Sequence, residues 1–201
     1  KVIYNGIVLP QVTESREELR KKLELDGLVV LSVGRLVPWK GFSVLIDAFN
    51  RAVKDFPGAR LVIIGEGPER EKLDAQMNRA TMRLIGKMPQ SELFKYIKAA
   101  DIFALNTAYE GFSHQLVEVM GLGVPIITTD VGGNPEIIVN EESGLLVPYH
   151  DRAKLENGLR RLLSDENLRR KVVSAGLETA KKFTEISMVS KVIFLINQST
   201  N

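Results

Sequence analysis

The 201-residue chain contains no cysteine. A disulfide framework and a thiolate zinc site are therefore excluded. Histidine is nearly as scarce: His114 and His150 are too few for a multi-histidine metal centre. No apolar run approaches the roughly 18–20 residues that a membrane-spanning helix needs. Neither charge dominates, since 27 basic and 25 acidic side chains leave a formal net charge of +2. Nucleic-acid binding draws on clustered basic surface, and this near-balance argues against it. The sequence opens on Lys1-Val2-Ile3-Tyr4, with neither a signal peptide nor an initiator Met, and reads as a piece of something longer.

What is present is ordinary globular material, 44% hydrophobic and 26% charged. A chain of this size buries roughly 70% of its unfolded surface, so one well-cored domain needs no covalent staples. Short β-rich runs at Leu28–Val33, Leu61–Ile64, Met82–Ile85, Ile102–Leu105, Val124–Thr129 and Gly144–Val147 alternate with helically spaced stretches. The clearest of these is Phe42–Phe56, where Phe42, Leu45, Ile46, Phe49 and Val53 share one face. Arg16–Leu25, Glu69–Ala80, Ser91–Ala100 and His114–Leu122 are the others. Alternation of this kind predicts parallel βαβ units, and uniformly apolar runs predict strands covered on both faces. After Asp151 only helical patterns follow, at Leu155–Leu163, Glu166–Val173 and Met188–Ile196. Residues 1–14 read as an incoming linker and edge segment, and 15–183 as the domain. Residues 184–201 read as a C-terminal helix too apolar to be solvated all round.

Each of the first five strands runs into a loop carrying glycines and polar groups: Gly34-Arg35 with Lys40-Gly41, Gly65-Glu66-Gly67, Gly86-Lys87-Met88, Tyr109-Glu110-Gly111-Phe112, and Asp130-Val131-Gly132-Gly133-Asn134. In a parallel sheet all five lie at the carboxyl edge, where open α/β folds bind ligands. Two phosphate motifs do not fit. Lys40 precedes its glycine, unlike the lysine of a Walker A loop, and Pro68 and Arg70 spoil a dinucleotide fingerprint at Gly65 and Gly67. Arg35 and Lys40, five residues apart at a strand end and a helix start, could form an anion site suited to a diphosphate, or be two solvated charges. Ser113 stands at an N-cap position, and Glu118 falls within an otherwise apolar helix. Buried there, a carboxylate needs a partner, such as a vicinal diol; left exposed, it is only a helix residue.

The segments VGRLVPWKGFSVLIDAF, LVIIGEGPEREKL, IGKMPQSELFKYIKAADIFALNTAYEGFSHQLVEVMGLGVPIITTDVGGNPEII and SGLLVP together resemble the C-terminal domain of retaining group 1 glycosyltransferases. That family has the GT-B fold and includes bacterial glycogen synthases and sucrose synthases. Its E-x7-E element falls on Glu110 and Glu118. The resemblance implies an α/β, Rossmann-like parallel sheet of about six strands with helices on both faces, the C-terminal half of a GT-B fold. It also implies transfer of a hexose from a nucleotide diphosphate sugar to an acceptor hydroxyl, with retention and without a metal or other cofactor.

Residue by residue, the resemblance gives Arg35 and Lys40 to the donor diphosphate. It gives Glu110 to the sugar as the catalytic candidate, and Gly111, Phe112 and Ser113 to a backbone stretch facing sugar and phosphate. Leu116 and Val117 fall where the helix meets the nucleotide, and Glu118 at the ribose hydroxyls. Lys87, Met88 and Leu93 would line the base, and Gly34 lets the chain pass close to the donor. The sequence departs from the family's habit at Asn106-Thr107, Val119-Met120-Gly121 and Trp39. The expected partners are a nucleotide diphosphate sugar and an N-terminal acceptor domain, towards which 184–201 would cross. Nucleic acid is not expected. The expected location is the cytoplasm, with peripheral association at the membrane face in the whole protein. An epimerase or phosphorylase on the same fold, or a non-catalytic sugar-nucleotide module, are the alternatives.

Overall fold

The computed structural model describes residues 2–199. Six strands form one parallel sheet: β1 (Val29–Val33), β2 (Arg60–Ile64), β3 (Met82–Ile85), β4 (Ile102–Leu105), β5 (Ile126–Thr129) and β6 (Leu145–Val147). Their order is β3-β2-β1-β4-β5-β6. The chain winds outward from β1 in one direction, then returns to pair β4 on its other side, so a topological switch point lies between β1 and β4. The architecture is Rossmann-like α/β.

Side chains alternate across the sheet. Val30, Leu61, Ile63, Ala104 and Ile127 face α2 (Phe42–Ala52), α3 (Arg70–Gln76) and α7 (Arg152–Ser164). Val29, Leu31, Val62, Phe103 and Ile126 face α4 (Gln90–Ala99), α5 (His114–Gly121) and the end of α8 (Glu166–Lys181), with Leu19 of α1 (Arg16–Lys22) joining that layer. Both faces being covered explains why the strands are apolar throughout. Asp101, at the start of β4, accepts from Arg16 (2.5 Å), Arg20 (2.9 Å) and the Val29 amide (2.8 Å), and so pins α1 to the amino edge.

Several boundaries shift from the sequence reading. The Val124–Thr129 strand begins at Ile126, because Pro125 has no N–H for the ladder. The helix expected to end at Val173 continues to Lys181. Its small Ser174-Ala175-Gly176 segment breaks the apolar period but lets α8 lie close on α5: a Cβ on Gly176 would stand 3.5 Å from Met120. A one-turn helix, α6 (Asn134–Ile137), follows β5 where the sequence shows only a loop. The opening segment adds no strand to the sheet. Ile7 instead makes a single parallel bridge to Thr184, while Tyr4, Ile7, Leu9 and Val12 pack on the core. The last helix, α9 (Glu185–Ser199), starts at that bridge, with Ile186 80% and Ile193 54% exposed.

Candidate functional site

The helices separate by how they begin. α1 has a capping box, in which Ser15 Oγ accepts from Glu18 N (3.2 Å) and Glu18 accepts from Ser15 N (2.8 Å). Asp151 caps α7 and Asp165 caps α8, each at 2.9 Å. The helices α2 to α6, which begin at the carboxyl edge behind β1 to β5, have no side-chain cap. Ser113 holds the N-cap position of α5 and is buried, but its side chain makes no capping bond. At the carboxyl edge the first turns of these five helices therefore meet no side-chain acceptor, unlike α7, which starts at the same edge behind β6, and uncapped helix starts attract anions.

The β1 and β4 loops meet there, across the switch point. Lys40 Nζ donates to Glu110 Oε2 at 2.5 Å, each side chain about one-fifth exposed. Backbone contacts fix both residues. Gly41 has φ 59°, and a Cβ on it would lie 2.3 Å from the Asn106 carbonyl oxygen; Asn106 Nδ2 donates to its carbonyl at 3.1 Å. Gly132 has φ 53°, and a Cβ there would stand 1.8 Å from the Glu110 carbonyl oxygen. The same oxygen accepts from Gly133 N at 3.1 Å. Beneath these loops lies a buried polar lattice. Thr129 Oγ1 donates to Thr107 O (2.7 Å), Thr128 Oγ1 to Leu105 O (2.9 Å), and Asn134 Nδ2 to Thr129 O (2.9 Å). Asn134 is thus a loop-fixing residue, as its place after the glycine pair suggests.

A groove of about 380 Å³ runs beside the pair over the ends of β1, β2 and β3. Gly34, Arg35, Glu66, Lys87, Met88 and Leu93 line it, so five of the sequence candidates are gathered in one place. Glu118, on α5, accepts from Gln90 Nε2 at 3.0 Å, at the start of α4, the helix that carries the groove residue Leu93. Burial raises its carboxyl above the usual range, and the Gln90 amide offsets that in part. Gly111 is exposed, with open space where a Cβ would be. The Phe112 ring turns away from the groove, stacked on Tyr4 (5.1 Å) and tilted against Phe183 (5.1 Å).

Leu116 and Val117 turn their side chains inward. Both side chains are 0% exposed and pack in the core, and their amides lie 3.2 and 3.4 Å from Ser113 O. His114 is exposed and rests edge-on against Phe112, not against Glu118. The residues that the sequence reading missed are those acting through others. Gln90 gave no signal, and the hold of Gly132 on Glu110 depends on two loops 22 residues apart. Among the described residues no group of three or more His, Asp and Glu side chains is placed to hold a metal ion.

This arrangement is the carboxyl edge of a doubly wound sheet, equipped with a cation–carboxylate pair, a groove lined by Arg35 and Lys87, and a half-buried acid. A family profile for glycosyl transferases group 1 matches residues 15–179, and the chain belongs to that family. It is 31% identical over 178 residues to the lipopolysaccharide core biosynthesis glycosyltransferase LpsD of Rhizobium meliloti, covering 86% of this chain and 50% of that one. In structure it resembles Anabaena Alr3699/HepE in complex with UDP (TM-score 0.86, 23% identity, 98% of this chain and 57% of that one). It also resembles the C-terminal domain of LpcC from Francisella tularensis (TM-score 0.78, 26% identity, 89% and 97%). The chain spans about half the length of the curated relatives it matches.

Proposed function

We propose that this chain is the donor-binding half of a retaining hexosyltransferase that moves a hexose from a nucleoside diphosphate sugar to an acceptor hydroxyl. The observation that carries the reading is the meeting of Lys40 and Glu110 at 2.5 Å across the switch point, beside the groove holding Arg35, Lys87, Met88 and Leu93. In this reading the base lies against Met88 and Leu93 and the ribose hydroxyls donate to Glu118. The diphosphate faces Arg35, Lys40 and the open start of α5, and Glu110 accepts from the sugar. Arg35 and Lys40 then do more than bind. Negative charge builds on the diphosphate as the glycosidic bond to it breaks, and fixed cations and amides stabilise that charge without reorganising. This lets the leaving group depart without calling on a metal.

The remaining catalytic groups and the rest of the acceptor site belong to an N-terminal domain, against which the exposed apolar face of α9 would rest. The chain alone then binds donor but turns over little. No helix is long and apolar enough to cross a membrane among the described residues. A cytoplasmic place, with peripheral contact at the membrane face, belongs to the same reading. The test is a thermal-shift screen with UDP-, GDP- and ADP-sugars. A ligand at a hundred times its Kd adds about 2.7 kcal/mol, which is roughly 5–10 °C for a chain of this size. A chain that no sugar nucleotide stabilises refutes the proposal.

A further inference from the structure

Two rings at the carboxyl edge are exposed and unstacked. Tyr4, Phe112 and Phe183 pack on one another, and Tyr149 lies against His150. Trp39 is 50% and Tyr109 74% exposed, and neither pairs with another ring among the described residues. Single exposed aromatics are ordinary. These two differ in how they are mounted. Trp39 O accepts from Ala108 N at 2.7 Å, and the Thr107 hydroxyl lies 3.3 Å from Trp39 O and 2.8 Å from Tyr109 O. Thr107 is 0% exposed and is itself held by Thr129. The segment Thr107-Ala108 therefore holds both backbones, the hydroxyl on Tyr109 O and the amide on Trp39 O. Each ring also precedes, by one residue, a member of the Lys40–Glu110 pair.

An aromatic side chain offers an apolar face and a polar tip, and has few rotamers to lose on binding. A six-membered sugar or cyclitol ring is its complement, with C–H bonds on its faces and hydroxyls around its rim. The place also fits. On the donor reading above, on which this inference rests, the sugar to be moved lies at Glu110. The attacking hydroxyl must come within about 3–3.5 Å of its anomeric carbon. The ring carrying that hydroxyl must then sit close to Lys40 and Glu110. We propose that Trp39 and Tyr109 form a platform for a six-membered carbohydrate or cyclitol ring of the acceptor.

Trp39 is the sole tryptophan of the chain, so its emission reports this ring alone. The chain, held with the nucleoside diphosphate selected by the thermal screen, is titrated with methyl β-glucoside, methyl α-mannoside and myo-inositol. Glycerol is the acyclic control. At least one cyclic probe should shift the emission saturably, and glycerol should not. Tyr109→Ala should weaken that probe about tenfold and Tyr109→Phe should restore most of it, with nucleotide affinity measured alongside to check that the donor site is intact. If nucleotide binds and no cyclic probe saturates, the platform is overturned. An emission change produced by glycerol as readily as by the rings overturns it too. A chain that binds no nucleotide refutes the donor reading, and the platform with it.

Discussion

Replacing Gly132 by alanine is expected to disturb Glu110 from a distance. Two effects combine. A left-handed φ of 53° costs an L-residue about 1–2 kcal/mol. The new methyl would also lie 1.8 Å from the Glu110 carbonyl oxygen, where real contacts are not shorter than 3.0 Å. Neither atom is at the end of a flexible side chain, so the Glu110 backbone must withdraw by about an ångström, and its 3.1 Å bond from Gly133 N is strained or lost. A hydrogen bond forfeited in a part-buried loop costs a further ~1–2 kcal/mol. The sum, about 3 kcal/mol, should lower the unfolding midpoint by roughly 6–12 °C. Gly123→Ala isolates the first effect: φ is 71°, but the nearest atom is 3.8 Å away, so strain alone should cost roughly 3–6 °C. Loss of chain entropy in the unfolded state is the same in both variants and cancels. Calorimetric titration with the sugar nucleotide and with the free nucleotide completes the assay. Gly132→Ala should lose affinity for the former more than for the latter, because it moves the group assigned to the sugar. If Gly132→Ala melts with Gly123→Ala and binds the sugar nucleotide normally, the loop contact does not position Glu110.

Arg35→Ala and Lys40→Ala should each weaken nucleoside diphosphate binding at least tenfold in titration calorimetry, with native circular dichroism retained; unchanged affinity in both would remove the diphosphate from that place. Burial holds the Glu118 carboxyl above its usual range, while its role requires the ionised acceptor. Donor affinity should therefore fall as pH drops through that raised value, starting at a higher pH than an ordinary Glu would give, and Glu118→Gln should bind more weakly with that dependence gone. A wild-type profile flat down to the normal Glu range would refute this. Gly111→Ala should leave the melting temperature unchanged, since nothing lies within 4 Å of the new methyl, yet weaken the sugar nucleotide, whose path it narrows. Amide exchange along α9 should slow clearly when an N-terminal domain is supplied; equal protection without it would make α9 an ordinary surface helix.

The strands were legible because a sheet covered on both faces demands apolar runs, and β3 and β4 are found at the predicted residues. Glycines and charges at successive strand ends pointed to the edge that carries the groove. Helix ends were harder to read. The pattern at Glu69–Ala80 continues past Gln76, where Asn78 takes the chain into a turn by accepting from Ala80 N and Met82 N. Leu116 and Val117 show a different limit. In a helix beside a site, spacing does not tell which face meets the ligand and which the sheet, and these two face the sheet. The Lys40–Glu110 pair joins residues 70 apart, so no local pattern could announce it.

Phe112 has a bearing on the order in which this molecule is completed. Its ring rests on Tyr4 and Phe183, which stand beside the bridge between Ile7 and Thr184. That bridge joins positions separated by nearly the whole chain, and such contacts form only after the intervening loop has closed. During synthesis the sheet from β1 to β6 can assemble while residues 183–185 are still unmade. Until they arrive, one wall around Phe112 is missing, and the loop that carries Glu110 has nothing to lean on from that side. The loop around Phe112 thus sets after the sheet, and a chain cut short before Phe183 should keep its sheet while that loop loses one of its supports.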